Sequence, residues 1–471
     1  MTQARPPLQR YWPVVLLALC AVAYLPAWLS FFVKDDLALI LSARMNWAAL
    51  IHSWPGGFFR PSAALLFAAE YELFGLRPWP YHLVSFAAHL AFAFCAYRVF
   101  ARLPSYLPLA PLAAALIVLH PINTETVSWI SGQMSLFAAL GILCTLHLLG
   151  ARRPAVLVPL FALGLGFYEN FLLVLPLWAA LHYTGGTPFR VRPVVLAALG
   201  LCAAIYLYWR FGILGLGDGN YSTAFAPGTS LVNIAYYLYL LAGGSAVGGR
   251  ILHYRPEDLG TQFFEVCTPM LIANALLLTI CCACGYRSLK RPTRTSLLPW
   301  VWIACALLPA LILPERPRRL AYLATPGWAL LIAQALYFLH EKTHPLLARM
   351  GIACYLLVAV VTLYGRNGDW RIAGEIERSL PAVIDKRCET LVFDVPNLLG
   401  DSLLFNTIST AQWLRLQAAG GRPEVFSHHE LALHSRKISA ECYYRFASGA
   451  VGPAPDPHPT FTRGHNWVRA P

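Results

Sequence analysis

The sequence has few charged residues for its length. Of 471 residues, 13% are charged, against about 25% in a typical soluble domain, whereas 58% are hydrophobic. One core cannot bury so large an apolar fraction, and the mean hydropathy of +0.54 leads to the same conclusion. These values exclude a soluble globular enzyme, a disordered chain and a coiled coil, and they predict a membrane protein.

The sequence also lacks internal repeats and zinc-type cysteine spacing. No self-similarity at a period of about 34 residues is present, which argues against a helical repeat array. Ten of the twelve cysteines lie in or beside apolar runs, where cysteine packs as a small hydrophobic residue. Cys281, Cys282 and Cys284 cluster, but no second pair with zinc spacing follows. The cysteines therefore give no evidence of a zinc site, and the sequence predicts no tightly bound metal.

Eleven long apolar runs lie between residues 13 and 365. They are 13–33, 81–98, 108–120, 129–149, 155–168, 170–183, 194–212, 264–284, 297–313, 321–338 and 347–365. Two further stretches, 61–76 and 231–246, are interrupted or flanked by charge, and we interpret them as helices in the outer interface. The pattern predicts an all-α polytopic fold with about eleven transmembrane helices. A cleaved signal peptide ending near Ala23 is the alternative for the first run.

The net charge of +13 follows the predicted topology. With the N-terminus in the cytoplasm, the N-terminus and inner loops carry fourteen basic residues and one acidic residue, Glu341. The other acidic residues before residue 366 all lie on the outer side, as the positive-inside rule requires. The basic excess is therefore topological and predicts no nucleic-acid partner, and an odd number of spans places the C-terminus outside.

The last part of the sequence has a different composition. Residues 1–365 are predicted to form the transmembrane domain, with outer loops 34–80 and 213–263, and residues 366–471 a small soluble α/β domain outside the cytoplasm. In this tail, Leu391–Phe393 predicts a strand and Leu403–Leu416 an amphipathic helix.

The tail contains two cysteines, Cys388 and Cys442. We predict that they form a disulfide if the tail faces an oxidising compartment. The alternative is a pair of free thiols in a cytoplasmic tail.

A few polar residues lie close to the apolar runs, where charge is costly. Asp35 and Asp36 follow the first run, which indicates either a solvated helix end or a carboxylate that acts as a base for a hydroxyl at an outer cavity. Arg60 lies among apolar residues and is interpreted as a snorkelling cation or as a ligand for a lipid phosphate.

Six motifs, in one order, resemble those of the GT-C superfamily of membrane glycosyltransferases. The similarity is greatest to the transmembrane O-mannosyltransferases that carry tetratricopeptide repeats and to their bacterial relatives. The motifs are Val33–Asp36, Phe59–Ser62, Tyr81–Val84 with His89, His120–Gly132, Tyr168–Asn170, and Arg318–Leu323 followed by Pro326–Gly327. The sequence departs from the family at Gln133 and Tyr168, where basic residues are usual, and in its tail, which replaces the repeats.

The resemblance implies an enzyme that transfers a sugar from a polyprenyl-phosphate donor to an acceptor hydroxyl, with inversion, at the outer face of the membrane. It implies that Asp35 is the base, with Asp36 as the second choice. The candidate ligands of the donor phosphate are Arg60, Arg316, Arg318 and Arg319. A transporter or flippase for a phosphorylated lipid-linked sugar is the alternative.

The remaining expectations concern the acceptor, cofactors and location. His120, Glu125, Glu169 and Tyr322 are predicted to shape the acceptor or sugar side, although His120 has an alternative role as a helix cap and Glu169 as an internal ion-pair partner. No tightly bound cofactor is expected, and a divalent ion at the donor phosphate stays open. The partners are the lipid-linked donor, a protein, glycan or lipid acceptor, and membrane lipids. The resemblance implies the bacterial inner membrane.

Overall fold

The structure is a computed structural model that describes most of the chain. The described residues are 7–45, 59–151, 154–185, 191–213, 227–254, 257, 260, 262–283, 295–311, 313, 316–385, 390–395, 398–404, 406–417, 424–427, 442–447, 450–453 and 467–468.

Helices dominate the described residues. The α-helices are α1 (Pro7–Trp28), α2 (Asp36–Met45), α3 (Pro61–Phe74), α4 (Pro78–Phe100), α5 (Ala110–Val118), α6 (Thr124–Val127), α7 (Gln133–Ala151), α8 (Pro154–Leu165), α9 (Val174–Gly185), α10 (Pro193–Leu207), α11 (Pro227–Leu241), α12 (Ala246–Tyr254), α13 (Phe263–Val266), α14 (Pro269–Ala283), α15 (Leu298–Ala306), α16 (Thr325–Lys342), α17 (Pro345–Val383) and α18 (Thr407–Gln417). Helices also occupy the described parts of both predicted outer loops.

The described residues contain five helical segments that are long and apolar enough to cross a membrane. They are Pro78–Phe100, Ile130–Leu149, Pro193–Ile213, Arg318–Lys342 and Pro345–Val383. Shorter apolar helices follow the same pattern at Leu16–Trp28, Val156–Leu165 and Pro269–Cys281. The predicted all-α polytopic membrane fold is therefore confirmed, whereas the count of eleven spans stays a prediction.

Several helices are broken by short 3₁₀ segments near the ends of the apolar runs. These segments are Pro121–Asn123, Ile130–Gly132, Glu169–Leu173 and Arg318–Ala324. Gly132 shows why the backbone packs so closely there, because a Cβ at this position would lie 2.5 Å from the carbonyl oxygen of Glu125. Within a membrane, non-helical backbone is tolerated only where protein or a polar cavity surrounds it.

The C-terminal domain contains two small sheets. The strands are β1 (Thr390–Asp394), β2 (Leu398–Leu399), β3 (Ser402–Leu403), β4 (Glu424–Ser427), β5 (Cys442–Ala447), β6 (Ala450–Pro453) and β7 (Trp467–Val468). One sheet has the order β4-β1-β5-β6, with β1 parallel to both neighbours, and the other has the order β3-β2-β7. The predicted strand lies within β1, and the predicted tail helix overlaps α18.

The predicted boundary at residue 366 falls inside α17, which runs without a break to Val383. The first part of this helix belongs to the main transmembrane core, which includes Leu363, whereas Trp370 and Leu380 belong to the core of the C-terminal domain. Val33 and Trp129 join this second core. The C-terminal domain therefore packs against the same end of the helices as the loop that carries Asp35.

Candidate active site

The two adjacent acidic residues after α1 have different environments. Asp36 begins α2 and is 1% exposed. Its Oδ1 accepts hydrogen bonds from the backbone N–H and the hydroxyl of Ser131, at 2.8 and 2.6 Å, and its Oδ2 accepts one from the N–H of Val33 at 2.9 Å. Burial raises the pKa of Asp36 to about 7. Both carboxylate oxygens are occupied, so Asp36 joins the α1–α2 loop to the start of the span at Ile130.

Asp35 is half-buried, and one of its two carboxylate oxygens has a hydrogen-bond donor among the described residues. Its Oδ1 accepts a hydrogen bond from Nδ2 of Asn406 at 2.8 Å, and among the described residues its Oδ2 accepts none. Burial raises the pKa of Asp35, while the positive charges of Lys34 and Arg319 oppose that rise. Of the two acidic residues, Asp35 is therefore the one with a carboxylate oxygen that accepts no hydrogen bond from the described residues.

Glu125 is the counterion of two consecutive arginines. It lies in α6 and is 3% exposed. Its Oε2 accepts hydrogen bonds from the backbone N–H and Nε of Arg318, both at 3.1 Å, and its Oε1 accepts one from Nη1 of Arg319 at 2.8 Å. Burial alone would raise the pKa of Glu125, but the charges of Arg319 and Arg318 lower it below its ordinary value. Glu125 therefore stays ionised and fixes both guanidinium groups.

The three candidate arginines of the 316–319 segment differ in their solvent exposure and in the number of protein partners that their guanidinium groups have. Arg318 is 3% exposed, and all of its guanidinium nitrogens donate to protein, Nε to Glu125 and both Nη atoms to Asp401. This geometry favours a structural role for Arg318. Arg319 is 21% exposed, and its guanidinium lies 5.4 Å from the ring centre of Trp129. Arg316 is half-buried and donates from Nε to Asn233.

Arg60 belongs to a second cluster, with Glu169 and Arg210. Arg60 is 6% exposed, its guanidinium stacks 4.2 Å from the ring centre of Tyr168, and its Nη2 lies 3.4 Å from Oε2 of Glu169. Arg210 is also buried, with Nε 3.8 Å from Oε1 of Glu169. These contacts give Glu169 the ion-pair role that the sequence left open, and they place two arginines around one partly exposed carboxylate.

His120 and Tyr322, predicted on the acceptor side, are both buried in protein contacts. Both ring nitrogens of His120 have partners, the carbonyl of Leu241 at 2.9 Å and the N–H of Ile122 at 3.2 Å. The hydroxyl of Tyr322 lies 2.7 Å from Nδ1 of His89. The geometry favours the capping role for His120 and a packing role for Tyr322.

Several residues of the site carried no motif in the sequence. Asp401 is 3% exposed and accepts from Arg318 at 3.0 Å, from Nε of Arg366 at 2.8 Å and from the N–H of Ala246 at 2.8 Å. Asn406 reaches Asp35 from the same domain. Arg210 also lies in no motif, but the sequence contains a signal that could have identified it. An arginine within an apolar run, here 194–212, is itself an indication of function.

The described residues contain no group of three or more His, Cys, Asp or Glu side chains that is placed to hold a metal ion. The predicted disulfide is partly visible, since Cys442 is disulfide-bonded. Cys388 lies outside the described residues, so its pairing with Cys442 stays a prediction.

The comparison of sequences finds relatives over part of the chain. No protein-family model matches the sequence. The protein O-mannosyl-transferase TMTC2 of Mus musculus is 34% identical over 103 residues, and that of Homo sapiens is 33% identical over 105 residues. Each match covers 21% of this chain and 12% of the relative. The predicted resemblance to O-mannosyltransferases is thus confirmed for that part of the sequence.

The comparison of structures finds several similar chains, two of which are described next. ArnT from Cupriavidus metallidurans, bound to undecaprenyl phosphate, has a TM-score of 0.45 and 13% identity, and the match covers 90% of this chain and 87% of that one. The archaeal oligosaccharyltransferase AglB from Archaeoglobus fulgidus, in complex with an inhibitory peptide and a dolichol-phosphate, has a TM-score of 0.45 and 12% identity, with coverage of 90% and 65%.

Proposed function

We propose that this protein is an inverting glycosyltransferase that moves a sugar from a polyprenyl-phosphate donor to an acceptor hydroxyl at the outer face of the membrane. The observation that carries the proposal is Asp35. It is a half-buried carboxylate with one oxygen available, it lies at the end of apolar helices, and it interacts electrostatically with Arg319. The partial sequence similarity to a protein O-mannosyl-transferase supports sugar transfer.

The reaction needs a base on one side of the anomeric carbon. In the proposed step, Oδ2 of Asp35 accepts the proton of the acceptor hydroxyl while the oxygen of that hydroxyl forms a bond to the anomeric carbon. The bond between the anomeric carbon and the phosphate oxygen breaks, and the electron pair leaves with the polyprenyl phosphate. Attack from the face opposite the leaving group inverts the anomeric centre. The raised pKa of Asp35 suits it to hold that proton.

The reaction also needs positive charge beside the leaving phosphate. Arg60 and Arg319 are the arginines that we assign to this role, because each is held in place by a carboxylate and an aromatic ring. Such preorganised cations stabilise developing negative charge without reorganisation during the reaction. Glu169 and Glu125 act as the counterions of these arginines before the donor binds.

Incubation of the full-length protein in nanodiscs with purified polyprenyl-phosphate sugars tests the proposal, with mannose first and a serine- and threonine-rich peptide as acceptor. Mass spectrometry should detect free polyprenyl phosphate and a glycosylated product, and NMR should show that the new linkage has the opposite anomeric configuration. In sealed proteoliposomes, a transporter would move the labelled donor between leaflets with no chemical change. Movement of the donor without chemical change would contradict the proposed sugar transfer and would support the alternative function, transport.

A further inference from the structure

The C-terminal domain reaches the proposed base through one side chain. Asn406 immediately precedes α18, and its Oδ1 accepts hydrogen bonds from the backbone N–H groups of Ile408 and Ser409, at 2.9 and 3.1 Å. Asn406 is thus the N-cap of α18, since it satisfies N–H groups that have no partner within the helix.

The cap fixes the orientation of the Asn406 amide. Because Oδ1 accepts from the helix N-terminus, the other atom of the amide, Nδ2, is the one that meets Asp35 and donates to its Oδ1 at 2.8 Å. A flipped amide would place an oxygen against a carboxylate oxygen and an NH₂ group against two N–H donors. The capping of α18 therefore determines that Asn406 presents an N–H donor to Asp35.

This hydrogen bond gives the two carboxylate oxygens of Asp35 different environments, because Asn406 donates to Oδ1 alone. A donor to the charged carboxylate favours ionisation, and it leaves Oδ2 for another partner. The charged groups around Asp35 are Lys34 and Arg319, which also favour ionisation, and the adjacent Asp36. From α17, Glu377 interacts with Lys34 and Asp36. Asn406 is the one neutral donor among these groups in the described part of the chain.

α18 also docks through contacts that do not involve Asn406. The hydroxyl of Ser409 accepts a hydrogen bond from the N–H of Ala38 at 3.0 Å, and the rings of Trp413 and Phe31 lie 4.9 Å apart. These contacts hold the helix against the α1–α2 loop and the start of α2. The docking and the hydrogen bond to Asp35 can therefore be altered separately.

We infer that Asn406 is a positioning residue for Asp35, so that the C-terminal domain supplies the contact that holds one carboxylate oxygen and leaves the other for the acceptor hydroxyl. The inference rests on the proposed function for the identity of Asp35 as the base. It makes the tail a component of the active site.

The test compares Asn406→Asp with the control Ser409→Ala, both in the full-length protein. The Asn406→Asp variant would keep the cap, because the introduced carboxylate accepts from the same N–H groups, but it replaces the donor to Asp35 with a negative charge. Two quantities are measured against pH: modification of Asp35 by a water-soluble carbodiimide, located by peptide mass spectrometry, and the rate of sugar transfer. Carbodiimide labelling of a carboxyl group declines as the group ionises.

Asn406→Asp should move the labelling midpoint of Asp35 and the acid limb of the transfer rate to higher pH by about one unit, because a like charge and a lost donor both disfavour ionisation. Ser409→Ala should move neither. Asn406→Ser keeps a cap without adding charge, should give a smaller shift in the same direction, and replaces Asn406→Asp if that variant does not fold.

An unchanged labelling midpoint in the Asn406 variants would overturn the inference. A shifted midpoint with an unchanged acid limb would also overturn it, because Asn406 would then act on a carboxylate that the reaction does not use. If the wild type transfers no sugar while the midpoint still shifts, the proposed function fails and the hold of Asn406 on Asp35 stands.

Discussion

At the scale of single residues, the site separates carboxylates by the number of partners they have. Asp36 and Glu125 have both oxygens occupied by donors, whereas Asp35 has one oxygen occupied among the described residues. A carboxylate with a full set of partners is held still, and one with an unoccupied oxygen can accept a proton. Adjacent residues of the same type thus take different roles because their surroundings differ.

Glu125→Gln tests the role of the buried counterion. The substitution leaves Arg319 without the Glu125 carboxylate and Arg318 with Asp401 alone. Loss of one partner from a buried ion pair costs about 3–5 kcal/mol. We expect a lower free energy of unfolding and a lower transfer rate. The wild type should also lose stability as pH falls below about 4.5, the ordinary value for Glu125, because its pKa is lowered in the folded state. Thermal unfolding measured across pH checks both statements, and a variant as stable as the wild type at neutral pH would contradict them.

At the scale of elements, the broken helices position the site. Arg318 and Arg319 lie on a 3₁₀ segment. Glu125 lies on the four-residue helix α6, between the 3₁₀ segments Pro121–Asn123 and Ile130–Gly132. The C-terminal domain completes this arrangement through Asp401, which follows Gly400 at a left-handed φ of 55°. A Cβ at residue 400 would collide with Oδ2 of Asp369, and the left-handed φ also favours glycine at this turn.

Asp401→Asn tests whether this turn connects the two domains. The charge is lost beside Arg318 and Arg366, two buried cations, so we expect a loss of about 3–5 kcal/mol of stability and reduced transfer. Glu375→Gln is the matched control, because Glu375 pairs with Arg371 on the exposed face of α17. An exposed pair of that kind contributes about 0–1 kcal/mol. Chemical denaturation should distinguish the two variants, and equal stabilities would contradict the account.

The sequence predicted the elements better than their contacts. The helices, the strand at Leu391 and the candidate base Asp35 follow from apolar runs and from motifs with a fixed order. Asp401 and Asn406 did not, because each acts across more than 80 positions of sequence, on Arg318 and Asp35 respectively. Nothing in local composition distinguishes such residues from ordinary turn or capping residues. Likewise, the motif predicted Arg318 as a phosphate ligand, but its partners arise from tertiary structure.

At the scale of the whole molecule, the C-terminal domain lies on the same side as Asp35. Its core includes Val33 and Trp129 from the transmembrane part, and Ser128 donates to Asn367 of α17. Whichever compartment contains the tail therefore also contains the proposed active site. The distribution of basic residues predicts that this compartment lies outside the cytoplasm.

Two measurements on intact cells test this location. A membrane-impermeant reagent should label the tail without permeabilisation, and peptide mapping without reducing agent should find Cys442 linked to Cys388. The bond is expected to persist because an oxidising compartment favours it. A tail that is labelled only after permeabilisation would place both the domain and the site in the cytoplasm.

The most direct test of the account is the replacement of Asp35 by Asn, with Glu72→Gln as a control at an exposed acidic residue of α3. In nanodiscs with a donor that the wild type uses, Asp35→Asn should bind the donor with an unchanged Kd. Its single-turnover release of polyprenyl phosphate should fall by a factor of about 10² to 10⁴, the contribution typical of a general base. Glu72→Gln should match the wild type in both measurements. Release by Asp35→Asn at the wild-type rate would contradict the central claim.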